Sequence, residues 1–142
     1  YEYEYRFPED DPPNFATLAA ALRAGNPDAI VAFNPGVKVP IISTSVHEDY
    51  TAGEISRALP ECRGAFVEKD GHAARYHVLT YLGEFWGRGE PRFPDEMVVG
   101  YTKHVTSKGG VITWDVPIQT NGLIPQPFVE QLNCIGRAMR PG

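Results

Sequence analysis

Hydrophobic residues recur at the spacing of a buried helix face in three segments of the chain, residues 12–27, 94–108 and 127–139. In the first segment, Asn14 is a residue type that caps helices, and Gly25 can take the left-handed position that follows the last turn. The three stripes consist of Phe15, Leu18, Ala19 and Leu22, of Met97, Val98, Tyr101 and Val105, and of Phe128, Leu132, Ile135 and Met139. Each segment is predicted to be an amphipathic helix.

Short apolar runs of strand length separate these helices. Buried strands are predicted for AIVAF, GAFVEK and VITWDV, which are residues 29–33, 64–69 and 111–116. The segment ARYHVLTYLG, residues 74–83, fits either a strand or a helix. The remaining predictions are a strand or arm over residues 1–7, an edge strand or ordered loop over residues 37–46, which contain Pro40, and a short helix over residues 51–59.

The alternation of helices and strands, without the rhythm of β-hairpins, predicts an α/β fold in which parallel strands are covered by helices. Two architectures satisfy this order, an open layered sheet and part of a (β/α) barrel. The 142 residues predict a single domain, and they supply about half of the roughly 250 residues of a complete barrel. A half barrel leaves sheet edges unpaired, so we expect it to form a homo-oligomer or to pair with a missing N-terminal half.

Composition and net charge limit the partners that the protein is expected to bind. Hydrophobic residues make up 42% of the chain and charged residues 22%, which is the balance of a globular protein, and no apolar run approaches the roughly 20 residues of a membrane helix. The net charge of −5, with scattered Lys and Arg, argues against a nucleic-acid surface. We therefore expect neither a nucleic-acid nor a membrane partner.

The sequence also indicates no cofactor. Cys62 and Cys134 lie in no zinc-type spacing, and they predict neither a disulfide scaffold nor a compartment. The four histidines, at positions 47, 72, 77 and 104, form no metal-binding pair, and the glycine-containing stretches match no phosphate-binding loop. Neither a metal nor a nucleotide is predicted.

Residues 93–136, FPDEMVVGYTKHVTSKGGVITWDVPIQTNGLIPQPFVEQLNCIG, carry a series of motifs in a fixed order. A helix ends in VTSKGG, a strand follows, and a turn of the form P-x-x-x-x-G-x-I-P precedes the last helix. This order resembles the C-terminal half of the α-L-fucosidase-like glycoside hydrolases, a retaining family with a (β/α)₈-like barrel. Weaker similarities, in LGEFWG at residues 82–87 and HEDYTAGE at residues 47–54, extend the resemblance over residues 14–139.

The resemblance implies hydrolysis of α-linked fucose or a similar deoxy sugar, with a carbohydrate as the partner and Glu54 as the general acid/base. It also implies that His47 and Trp86 line the sugar pocket. The family's nucleophile is an Asp on a strand that would end at or before residue 1, and no such strand is present, so Glu2, Glu4 or another chain would have to replace it. A typical bacterial member would be secreted or periplasmic. A start without Met indicates a fragment or a processed product.

Further pocket candidates come from the ends of the predicted strands, where barrel enzymes hold their active-site groups. Glu68 and Asp115 could line a sugar pocket, and the indole of Trp114 could stack on a pyranose ring. Each also has a structural interpretation. The segment from Thr51 to Glu54 fits a capping box, the carboxylates fit bonds to backbone amides or nearby cations, and aromatic rings are common in cores.

Three functions follow from this pattern. The first is a retaining glycosidase, which needs two carboxyl groups about 5 to 5.5 Å apart. The second is a non-catalytic half barrel that self-associates or binds sugar. The third is a hydrolase in which Asp115 acts as a general base.

Overall fold

In the computed structural model, residues 11–140 are described, and they form three helices and four strands. The predicted strand or arm at residues 1–7 lies outside this range. The elements are α1 (Phe15–Arg23), β1 (Phe66–Lys69), β2 (His72–Arg75), β3 (His77–Tyr81), α2 (Asp95–Ser107), β4 (Val111–Asp115) and α3 (Gln126–Ala138).

The three helices lie where the hydrophobic stripes predict them. Asn14 caps α1 as expected, because its side chain accepts a hydrogen bond from the Thr17 amide while the Thr17 hydroxyl accepts one from the Asn14 amide. Gly109, with φ of 80°, follows the end of α2. The prediction for Gly25 is wrong, because Ala24, which follows the helix, has a right-handed conformation and Gly25 has no positive φ.

The segment between residues 64 and 75 forms a β-hairpin, which the alternation of elements did not predict. Strand β1 is half-exposed and pairs antiparallel with β2 through the Asp70-Gly71 turn, in which both residues have positive φ. An Asp-Gly pair between two short strands is the local signal for such a turn. The buried parallel strand predicted at residues 64–69 is therefore corrected to one arm of this hairpin.

The segment from residue 50 to residue 55 is extended, and the predicted short helix is wrong. Tyr50 and Glu54 form parallel bridges to Arg75 and Leu79, so the segment runs alongside β3. The side chain of Thr51 donates to the His77 carbonyl and accepts from the His77 amide, each at 2.9 Å. These bonds to a neighbouring strand replace the ones that a capping box would have formed within a helix.

Residues 29–33 and 37–46 form no regular strand. The first segment is extended, with Val31 and Phe33 buried and Ile30 72% exposed, and the Val31 carbonyl accepts from the Asp49 amide at 2.7 Å. This segment is therefore buried on one side, whereas the sequence predicted burial on both sides. Residues 37–46 form a loop, which is one of the two structures predicted for them.

Strands β3 and β4 form a parallel pair in which His77 lies opposite Val111 and Tyr81 opposite Asp115. The extended segment 50–55 lies on the other side of β3, next to residues 29–33. Four extended segments thus lie side by side, and their carboxyl ends carry Asn34, Glu54, Tyr81 and Asp115.

The helices cover one face of these four segments. Phe15 and Ala19 of α1 pack against Val31 and Phe33. Strand β3 and α2 share a core that contains Val78 and Val105. A third cluster joins α2 and α3 through Val98, Leu82 and Phe128, with Trp114 packed against it.

The chain is therefore a mixed α/β protein with a parallel sheet and a separate antiparallel hairpin. That the chain is half of a barrel, and that it forms a single domain, both remain predictions. Between residues 11 and 140, no helix has the length and apolar character that would be needed to cross a membrane.

Candidate functional site

The side chains of the parallel segments divide into two faces. Partners that lie opposite each other point to the same face, and successive residues of one strand alternate between faces. Glu54 lies opposite Leu79, and Leu79 lies opposite Thr113. Tyr81 and Asp115, two residues further along their strands, therefore belong to the same face as Glu54.

Glu54 is held at the carboxyl end of its segment by a hydrogen bond to Asn34. The Asn34 side-chain amide donates to one carboxylate oxygen of Glu54 at 2.6 Å. The side chain of Glu54 is partly exposed. A carboxyl group in this position can exchange a proton with a ligand that lies over the same face.

The position of Glu54 depends on Gly53. Gly53 has φ of 63°, and a Cβ atom there would lie 2.7 Å from the carbonyl carbon of His77. The Gly53 carbonyl accepts from the Leu79 amide at 2.9 Å, and the Ile55 amide donates to the Leu79 carbonyl at 3.0 Å. Only glycine lets the backbone approach β3 this closely with that φ.

Asp115 holds the loop that follows β3. One carboxylate oxygen of Asp115 accepts from the Gly87 amide at 2.7 Å, and the Asp115 carbonyl accepts from the Leu82 amide. The ring of Trp86 lies edge-on to Tyr81, with 4.9 Å between ring centroids. Asp115 thus keeps the partly exposed indole of Trp86 at the carboxyl end of the sheet.

Arg92 ties the same end of the sheet together. Its guanidinium lies 3.9 Å above the Tyr81 ring and donates to the Ser56 carbonyl at 2.7 Å and to the Thr80 hydroxyl at 3.0 Å. Burial lowers the pKa of Arg92 below its usual value, although the group stays charged at neutral pH. These contacts hold the segment around Arg92 against the carboxyl end of β3.

Trp114 does not belong to the candidate site. It lies opposite Thr80, on the face that α2 covers, and its indole N–H donates to the Thr102 hydroxyl at 3.0 Å. Tyr101 lies edge-on to its ring at 6.2 Å. The predicted sugar platform at Trp114 is corrected to a partly buried residue that packs against the core and joins β4 to α2.

His47 and Glu68 lie away from the carboxyl ends of the sheet. The carbonyl of His47 and that of Ala29 both accept from Arg23, which places His47 beside the start of segment 29–33. Glu68 lies opposite Ala73 on the exposed hairpin, before the amino end of β3. Glu54, Trp86 and Asp115 therefore lie at the same end of the sheet, and His47 and Glu68 lie elsewhere.

Three residues that support this group, Asn34, Tyr81 and Arg92, were not among the predicted site residues. The alternation along β3 could have placed Tyr81 on the face of Asp115. The contact between Asn34 and Glu54 joins residues 20 positions apart, so only the packing of two extended segments creates it. Within residues 11–140, no group of three metal-binding side chains comes together.

No protein-family model matches the sequence, and none of the curated proteins matches it either. Solved structures do resemble this chain. The endo-fucoidan hydrolase MfFcnA4, of glycoside hydrolase family 107, has a TM-score of 0.68 and 23% identity over 85% of this chain and 22% of its own length. The endo-fucoidan hydrolase P5AFcnA, of the same family, has a TM-score of 0.72 and 15% identity over 91% of this chain and 48% of its own.

An α-L-fucosidase is also among the similar structures. The α-L-fucosidase isoenzyme 1 from Paenibacillus thiaminolyticus has a TM-score of 0.61 and 22% identity over 87% of this chain and 30% of its own length. The chain thus spans less than half the length of each of the three proteins. These likenesses show that the chain has a fold found in glycoside hydrolases.

Proposed function

We propose that this chain is the part of a retaining glycosidase that carries the general acid/base, and that the enzyme acts on α-L-fucosides or similar deoxy sugars. The observation that carries the proposal is the position of Glu54. This carboxyl group lies at the carboxyl end of parallel segments, on the face that α1 and α2 leave uncovered. The names of the similar structures, which are fucoidan hydrolases and an α-L-fucosidase, support the choice of sugar.

In this proposal, Glu54 protonates the leaving oxygen and later accepts a proton from water. Trp86 offers an indole edge and face to the sugar, and Asp115 keeps the Trp86 loop in place. A retaining mechanism also needs a nucleophilic carboxylate about 5 to 5.5 Å from the acid/base. The sequence offers Glu2 and Glu4, which lie outside the described residues, and the alternative source is another part of a longer polypeptide or a second chain.

The test compares two Glu→Gln variants in the hydrolysis of 4-nitrophenyl α-L-fucoside and methyl α-L-fucoside. Glu54→Gln should lower turnover by about 10² to 10⁴-fold. The loss should be larger for the methyl glycoside, because its leaving oxygen needs the proton more than nitrophenolate does. Glu68→Gln is the matched control, and it should leave both rates unchanged. Equal rates for wild type and Glu54→Gln would refute the assignment.

A second candidate function, a non-catalytic half barrel that self-associates, has support from the uncovered face. Ile30 is 72% and Val111 46% exposed there, and with Tyr50 and His77 they line a hollow of about 300 Å³. A second copy or the missing half of a barrel would cover these groups. A folded dimer without turnover of either fucoside would favour this function over the first.

A further inference from the structure

The side-chain amide of Asn34 is held at both ends. Its oxygen accepts from the Gly36 amide at 2.8 Å, and its nitrogen donates to one carboxylate oxygen of Glu54 at 2.6 Å. The Gly36 N–H can only donate, so the amide oxygen must face it. The NH₂ group of Asn34 must then face the carboxylate.

The backbone around Asn34 is fixed by a buried carboxylate. Glu48 is 1% exposed, and its two oxygens accept from the Phe33 amide at 3.1 Å, the Ser43 hydroxyl at 2.7 Å and the Thr44 amide at 2.7 Å. Because these donors satisfy the charge of Glu48, the segment that leads into Asn34 is fixed to the loop at residues 43–45.

Glu54 is constrained from the other direction as well. The backbone of Gly53 and Ile55 is hydrogen-bonded to β3. Within residues 11–140, the Glu54 carboxylate accepts one hydrogen bond, and Asn34 donates it. One of its oxygens is therefore occupied, and the other accepts no hydrogen bond from the part of the chain between residues 11 and 140.

We propose that Asn34 is a positioning residue that fixes the rotamer of Glu54 and leaves one defined carboxylate oxygen for proton transfer. This inference rests on the proposed function of Glu54. Since the transfer requires a heavy-atom separation of about 2.6 to 3.2 Å, a carboxylate that rotates freely would spend little time in the reactive geometry.

The first test is Asn34→Asp, which is isosteric. It keeps an oxygen for the Gly36 amide and replaces the group that faces Glu54 by a second carboxylate oxygen, which repels it. We expect kcat for methyl α-L-fucoside to fall by about 10²-fold with KM little changed, as for a catalytic group displaced by about 1 Å. Unchanged kcat, or a rise in KM alone, would overturn the proposal.

Asn121→Asp is the matched control. The Asn121 oxygen accepts from the Leu123 amide at 2.9 Å, which is the same two-residue turn bond that Asn34 makes with Gly36. The control therefore adds the same charge at the same kind of turn without a hydrogen bond to Glu54, and its kcat should equal that of the wild type.

The second test does not depend on turnover. In ¹H–¹⁵N spectra, the NH₂ signal of Asn34 should move upfield in Glu54→Gln, because a charge-assisted hydrogen bond becomes a neutral one. The NH₂ signal of Asn121 should stay in place. If no fucoside is hydrolysed, the proposed function fails, and the amide signal decides alone: a shift supports the positioning, and an unmoved signal overturns it.

Discussion

Replacing Gly53 by alanine tests how the acid/base candidate is placed. The added Cβ would meet the backbone carbonyl of His77, and alanine would have to keep φ of 63°. The obstacle is backbone, so it cannot turn aside as a flexible side chain can. The segment 50–55 must therefore move away from β3, and Glu54 moves with it.

The cost follows from the bonds at this position. A left-handed conformation costs a non-glycine residue about 1 to 2 kcal/mol. Separation from β3 weakens the bonds from the Leu79 amide to the Gly53 carbonyl and from the Ile55 amide to the Leu79 carbonyl, each worth about 1 kcal/mol. We expect the free energy of unfolding to fall by about 3 kcal/mol, which corresponds to a Tm lower by about 10 °C in a chain of this size.

Thermal unfolding followed by circular dichroism measures this change, and Gly100→Ala is the control. Gly100 lies within α2, and an added Cβ there meets no atom within 4 Å. Because alanine favours a helix by about 1 kcal/mol over glycine, Gly100→Ala should raise Tm. If Gly53→Ala melts at the wild-type temperature, segment 50–55 does not approach β3 as closely as described.

Three further outcomes follow from single contacts. Trp114→Phe should lower stability by about 1 to 3 kcal/mol in urea unfolding, because it leaves the Thr102 hydroxyl without the indole N–H, yet it should not change KM for a fucoside. Burial alone would raise the pKa of Asp49, but the hydrogen bonds that its carboxylate accepts keep that pKa below the usual value. Asp49 thus stabilises the fold at a pH above its unfolded pKa, and this stabilisation is lost as the pH falls through the folded pKa. Asp49→Asn should therefore narrow the difference in unfolding free energy between pH 7 and pH 3. An unchanged difference would contradict this expectation. Cys62 is 1% exposed whereas Cys134 is partly exposed, so an aromatic disulfide reagent at pH 8 should label Cys134 first and Cys62 only after denaturant is added.

The sequence predicted those elements whose signals are local. The helices α1, α2 and α3 and strand β4 lie near their predicted bounds, because caps, apolar spacing and flanking Gly or Pro act within a few residues. The cap that Asn14 forms on α1 is such a case, since its partner Thr17 is only three positions away.

Where the predictions were wrong, a long-range contact decided the conformation. Thr51 and Glu54 have the spacing of a capping box, and the segment is nevertheless extended, because Thr51 bonds to His77 and Gly53 bonds to Leu79. Those partners lie 26 positions along the chain, where no local pattern reveals them.

The same distinction applies to the candidate site. The sequence by itself offered Trp114 and Asp115 at the end of an apolar segment, and Glu54 and Trp86 through the family resemblance. The tertiary structure alone decided which of them share a face: β4 alternates, so Trp114 turns towards α2 while Asp115 turns towards the Trp86 loop. It also supplied Asn34, because the hydrogen bond between an amide and a carboxylate 20 positions apart exists only once two extended segments lie side by side.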